Sequence, residues 1–178
     1  YSANTTFGIS YSLNGGVTWT AKAVSAPGAG GKNLKKVRFL NGRFIAVGGN
    51  AGVSAGMVTS TDGITWTPEY DPTGAAAAAL VGVAYGGSKY MVVSDSGAAY
   101  SSTSPASGYV ASGTTGLTGS CDDLGFSPGG DAFIALGQVP ANTGNVSTIA
   151  SAGGAWTPTA IGTATPFWMA VGTGTNGI

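Results

Sequence analysis

The chain has no histidine and a single cysteine in 178 residues. Without histidine, Ser-His-Asp and Cys-His nucleophile systems and the usual zinc sites lack their members. Cys121, being alone, excludes an intrachain disulfide and reads as a small buried apolar residue. Charge is scarce: seven basic and seven acidic residues make up 8% of the chain and cancel. No face basic enough for nucleic acid or a polybasic membrane contact is expected. No apolar run approaches the roughly 18 residues of a membrane-spanning helix. Neither membrane insertion nor a cofactor nor a metal is therefore expected. No stretch reads as a signal peptide. The chain opens on Tyr1 and not on Met, so it is expected to be processed or excerpted from a longer one.

What remains is glycine, 32 residues of it, with much Ala, Ser and Thr and with short apolar segments. One stretch organises the rest: Ser60-Thr61-Asp62-Gly63-Ile64-Thr65-Trp66-Thr67. Gly63 suits a tight turn, Ser60 and Asp62 accept bonds from the turn's own N–H groups, and Trp66 starts a strand. Ser12-Leu13-Asn14-Gly15-Gly16-Val17-Thr18-Trp19 repeats it with Asn14 for the acid. Tyr100 to Tyr109 and Ile149 to Trp156 are weaker copies without an acid. The aromatics Trp19, Trp66, Tyr109 and Trp156 are spaced by 47, 43 and 47 residues.

These residues resemble the Asp-box (BNR) motif, Ser-x-Asp-x-Gly-x-Thr-Trp, of sialidase-like β-propellers. The resemblance implies a structural turn between the third and fourth strands of a blade, on the rim away from the binding face. Ser12, Asn14, Gly16, Trp19, Ser60, Asp62, Gly63, Trp66 and Trp156 would then hold the fold. It does not extend to sialidase chemistry. That chemistry needs three convergent arginines and a tyrosine–glutamate pair, and this chain has only Arg38, Arg43 and Glu69 for them.

Between the boxes an apolar hairpin recurs, at 37–48, 83–93 and 124–137, each with an Asn-Gly or Gly-Gly turn. Hairpin plus box makes four short strands in about 45 residues, the size of a propeller blade. The expected fold is all-β: a β-propeller of about four four-stranded blades in one domain, 1–178. Its repeats are 32–70, 80–112, 121–158, and 165–178 plus 1–22, so the N- and C-terminal segments share one blade. Residues 75–80, rich in alanine, read as a loop with one helical turn. Closure of the ring within one chain competes with pairing between the end of one chain and the start of the next.

Ligand-facing loops are expected at 2–6, 49–56, 94–97 and 138–145, between second and third strands, carrying Asn50, Asn142 and Asn145, and with them on the same face the connections from each fourth strand to the next first strand, carrying Tyr70, Asp71, Asp122, Asp123 and Trp168. Asparagine amides and aromatic faces suit sugars. Trp168 reads more simply as core between blades. The same acids could serve a glycoside hydrolase, with Glu69, Asp95 and Asp131 the other carboxylates available. Asp122 with Asp123 could hold a cation, though solvated loop acids are the plainer reading. Lys32, Lys35, Lys36, Arg38 and Arg43 read as a solvated blade edge, or as a contact for an anionic glycan.

The functional expectation is a non-enzymatic structural or binding module, extracellular or on a virion surface, similar to the propeller domains of phage tail or head-decoration proteins. Its partners would be a glycan or host-surface receptor, a parent virion protein or other copies of itself. A glycoside hydrolase fragment and a protein-binding assembly scaffold are the alternatives.

Overall fold

The computed structural model describes residues 6–25, 33–50, 54–69, 78–117, 120–139 and 143–162. They are strands and turns, without a helix. A two-stranded first sheet pairs β1 (Thr6–Tyr11) with β2 (Thr20–Ser25). The second sheet runs β3 (Leu34–Leu40), β4 (Arg43–Asn50), β5 (Ser54–Ser60), β6 (Thr67–Pro68). The third runs β7 (Leu80–Gly86), β8 (Lys89–Ser94), β9 (Ala98–Ser102), β10 (Val110–Thr114). The fourth runs β11 (Ser120–Ser127), β12 (Ala132–Val139), β13 (Thr143–Ala150), β14 (Thr157–Gly162). Every pairing is antiparallel between neighbours in sequence, which is the meander expected of a blade.

The boxes fall where the motif places them, between the third and fourth strands of a sheet. In the first sheet the box joins β1 to β2, so these are its two outer strands. The inner pair expected from 165–178 and 1–5 lies outside the described residues. So do residues 75–77 of the expected helical turn. Ala78 and Ala79 are irregular, and Leu80 already opens β7.

Each recurring hairpin carries one cross-strand aromatic pair: Phe39 with Phe44, Tyr85 with Tyr90, Phe126 with Phe133. Ring centroids stand 4.7, 4.6 and 5.0 Å apart. The first hairpin turns on Asn41 and Gly42, with φ of 48° and 76°, the all-positive turn that matches strand twist. The second turns on Gly87 and Ser88, one residue later than the Gly-Gly pair suggests.

The inner strands β3, β7 and β11 pack side by side, β7 touching both others. Each shifts register at one place, between Leu34 and Lys36, Leu80 and Gly82, Cys121 and Asp123. The extra residue is Lys35, Val81 or Asp122, a β-bulge that turns the strand at the same height in each sheet. Close approach of the sheets needs bare backbone at Gly82 and Gly86: a Cβ on Gly82 would meet Leu124, and one on Gly86 the ring of Phe126.

Three apolar clusters join the sheets. Val24, Ala46 and Val58 join first to second. Ile45, Val47, Met57, Leu80, Val83 and Val92 join second to third. Val93, Leu117, Leu124, Phe133, Ile149 and Trp156 join third to fourth. A fully buried side chain of this size contributes about 1.5–3 kcal/mol, so the interfaces between sheets carry the stability. Strands buried on both faces, such as β7, are apolar throughout for that reason.

Candidate binding site

The boxes are turns built from their own side chains. Ser60 Oγ accepts from the N–H of Asp62 and Gly63 and donates to Asp62 Oδ1 at 2.9 Å. Asp62 Oδ1 also accepts from the N–H of Ile64 at 2.8 Å and Thr65 at 2.7 Å. These backbone bonds, Thr65 first, then Ile64, then the Ser60 hydroxyl, hold the carboxyl at about 2, well below the usual 3.8. Asn14 makes the corresponding bonds, accepting from Thr18 N–H at 2.9 Å and from Ser12 Oγ at 3.0 Å. The indole N–H of Trp19 donates to Gly16 O and that of Trp66 to Gly63 O, both at 3.0 Å. The carboxylate of Asp62 is thus consumed by its own turn.

The expected ligand residues part company. Asp123 is not a loop acid. It lies in β11 with a fully buried side chain, takes Arg38 Nη2 on both oxygens at 3.0 and 2.9 Å, and stands 3.2 Å from Lys36 Nζ. The bulge before it turns Asp123 inward and leaves Asp122 exposed, so the two do not converge on a cation. Lys36 and Arg38 are likewise not a solvated edge. They reach Asp123 of β11, two sheets away, next to where β11 packs on the bare backbone of Gly82 in β7. Asn145 is 4% exposed and belongs to β13, which begins at Thr143 and shortens the expected loop. Asn50 ends β4. Tyr70, Asp71, Asn142 and Trp168 lie outside the described residues. Cys121 is buried as expected. Burial first, then Asp122 and Asp123, push its thiol up to about 12. Burial also raises the phenol of Tyr109, with Tyr90 and Glu69 adding to it.

A different place has the shape of a site. A cleft of about 770 Å³ runs along β1 and between it and the second sheet. One wall is Ile9, Ser10 and Tyr11 of β1 with Leu13 and Trp19 of the first box. The other is Val37, Phe44, Trp66 and Lys35. Phe44 stands 6.3 Å from Trp66 and 4.7 Å from Phe39, so three rings form a row. Leu13 is 80% exposed, Trp19 65%, Val37 58% and Phe39 59%. These four, with Val17 of the same box, are five of the seven large apolar side chains exposed among the described residues. Lys35 is exposed at this cleft and forms no ion pair among the described residues. The site was hidden in the sequence because Phe39 and Val37 read as core of a hairpin. Nothing local tells that these positions stay exposed.

No protein-family model matches the chain, and no curated protein does. Among solved structures it is similar to YCF48 bound to D1 peptide, with a TM-score of 0.54 and 15% identity over 70% of this chain and 38% of that one. It is also similar to YCF48 from Cyanidioschyzon merolae, with a TM-score of 0.51 and 23% identity over 83% and 48%. The fold is a β-propeller. At these identities the likeness concerns architecture, and the chain spans less than half the length of either structure. Its sheets are accordingly blades, the fourfold repeat fitting four of them. The Asp-box resemblance rests on the box residues themselves.

Proposed function

We propose that the chain is a non-enzymatic binding propeller that takes an extended apolar protein segment into the cleft beside β1. The observation that carries this reading is the concentration of exposed Leu13, Trp19 and Val37 at one cleft, with Phe39 against Phe44 beside it, where most other large apolar side chains among the described residues are covered. Patches of this kind with aromatic anchors mark protein-interaction sites. An extended segment lying along β1 would place alternate side chains against Phe44 and Trp66, and an acidic neighbour would meet Lys35. The YCF48 propeller bound to D1 peptide supports a peptide as the class of partner. The pairing of Asp123 with Arg38 and Lys36 weighs against the glycoside hydrolase alternative, since that carboxylate is not free to act as acid or base. A neutral surface rich in small residues supports an extracellular or virion-surface setting.

A second reading is favoured by Trp19 alone. Its N–H is satisfied inside the box and most of its ring is exposed, the arrangement that stacks on a sugar. Tryptophan fluorescence titrated with a library of extended peptides, and separately with a glycan array, tests both. Peptide binding abolished by Val37→Asp and Phe39→Asp is expected. Glycan binding lost with Trp19→Ala and indifferent to Val37→Asp would replace the peptide reading, and no response to any peptide would end it.

A further inference from the structure

Asparagine followed by glycine carries a latent reaction. Glycine has no side chain to hinder its own backbone nitrogen from attacking the Cγ of the asparagine before it. The sequence has three such pairs: Asn14-Gly15, Asn41-Gly42 and Asn176-Gly177. The last lies outside the described residues. The fold treats the other two differently.

Asn14 is tied into its box. Its Oδ1 accepts from Ser12 Oγ at 3.0 Å and from Thr18 N–H at 2.9 Å, and its Nδ2 donates to Thr18 Oγ1 at 2.9 Å. Asn41 stands exposed at the tip of the β3–β4 hairpin, which the Leu40–Arg43 pair closes. Its side chain is held by the bond from Nδ2 to the Tyr90 hydroxyl, at 3.1 Å. A Cβ built on Gly42 would meet nothing within 4 Å, so the peptide there has room to move and water has room to enter.

The turn itself favours the reaction. Asn41 and Gly42 have φ of 48° and 76°, the two positive values of a type I′ turn. A type II′ turn shares the positive φ at its first central residue and differs in the orientation of the peptide between the two. That flipped peptide aims the Gly42 nitrogen at Asn41 Cγ, as a five-membered imide ring requires. Gly42 takes the reversed sign of φ without steric cost. Asn41 is therefore one peptide flip from the reactive geometry, with both strands still paired.

We propose that Asn41-Gly42 is a site of spontaneous modification, deamidating through a cyclic imide in the folded chain ahead of Asn14. The Gly42 nitrogen forms a bond to Asn41 Cγ, and Nδ2 leaves as ammonia with the proton that Gly42 gives up. Water then opens the ring at either carbonyl. Opening at Cγ gives aspartate, which tolerates the positive φ as asparagine does. The Tyr90 hydroxyl then donates where it had accepted, and the hairpin is kept. Opening at the backbone carbonyl gives isoaspartate, whose main chain runs through Cβ and Cγ. That extra backbone carbon in a two-residue turn breaks the pairing of Leu40 with Arg43. Neither Asn41 nor Gly42 lines the cleft, so the site is separate from peptide binding.

The test is incubation of the full chain at neutral pH, native and in denaturant, with peptide mass spectrometry counting the exchange of NH₂ for OH at each asparagine. In the native chain Asn41 is expected to convert roughly tenfold or more faster than Asn14, which has two more hydrogen bonds to break. In denaturant both precede glycine in an open chain, and their rates should converge. Tyr90→Phe removes the partner of Nδ2 and should speed Asn41 while leaving Asn14 unchanged. Native rates that are equal at the two sites overturn the proposal. So does an Asn41 that stays intact in the native chain over the time in which the denatured chain converts. Neither of these outcomes depends on a variant that folds.

Discussion

Replacing Asp123 with alanine would leave Arg38 and Lys36 facing one another with their shared counter-ion gone. Their side chains are 17% and 28% exposed, and that of Asp123 is not exposed at all. Breaking a buried ion pair from one side costs about 3–5 kcal/mol. The partial exposure of the two cations puts the expected loss near the lower bound, about 3 kcal/mol. For a chain of this size each kcal/mol moves Tm by about 2–4 °C, so Asp123→Ala should lower it by roughly 6–12 °C. Thermal unfolding followed by circular dichroism measures this, and the difference should persist at high salt because the pair is shielded from solvent ions. Exchanging all three for apolar residues, Lys36→Met with Arg38→Met and Asp123→Leu, should restore most of the loss. What remains is the bond from Leu124 N–H to Asp123 Oδ1 at 2.8 Å, worth about 1 kcal/mol. A drop of less than about 3 °C for Asp123→Ala, roughly 1 kcal/mol on the same scale, would refute the reasoning, since it would mean that water reaches the cations.

Three further outcomes are expected. Asp62, held at about 2 when folded against 3.8 ordinarily, binds fewer protons in the native state between those values. Its contribution is therefore complete above the upper value and lost as pH falls toward the lower, and Asp62→Asn should flatten that part of a stability-versus-pH curve. A parent and variant with identical acid limbs would contradict this. Cys121, buried and raised to about 12, should resist thiol reagents at neutral pH until the protein is unfolded; labelling of the native chain at a free-thiol rate would show the cluster around it to be open. Trp156→Ala should cost about 3–5 kcal/mol as a core deletion, while Trp19→Ala, at the same motif position but 65% exposed, should stay within about 1 kcal/mol of the parent. Equal effects in chemical denaturation would contradict the difference in burial between the two tryptophans.

The parts of this fold legible in the sequence are those decided within a few residues. Ser60, Asp62, Gly63 and Trp66 make their turn with each other, so the motif reads without knowledge of neighbours. The hairpin at Asn41-Gly42 is legible for the same reason. Asp123 was not, because a bulge of one residue decides which of two adjacent acids turns inward, and its partners are 85 positions away. Asn145 was misplaced because β13 starts earlier than turn-rich composition suggests. The cleft was invisible because exposure at Val37 on its wall depends on how a different sheet packs, which the pattern of the hairpin itself does not carry.

The reach of Arg38 past β7 has a consequence for how the molecule comes apart. A row of units that touch only their neighbours loses its ends first, and its unfolding is a sum of local terms. Here the second and fourth blades hold each other directly, and the third is clasped between them. Detaching the fourth blade strands two cations in the second, so partial melting from that end is penalised far from where it begins. The stretch from β3 to β14 should accordingly behave as one all-or-none unit, and a fragment cut between the third and fourth blades should be less stable than its retained contacts imply.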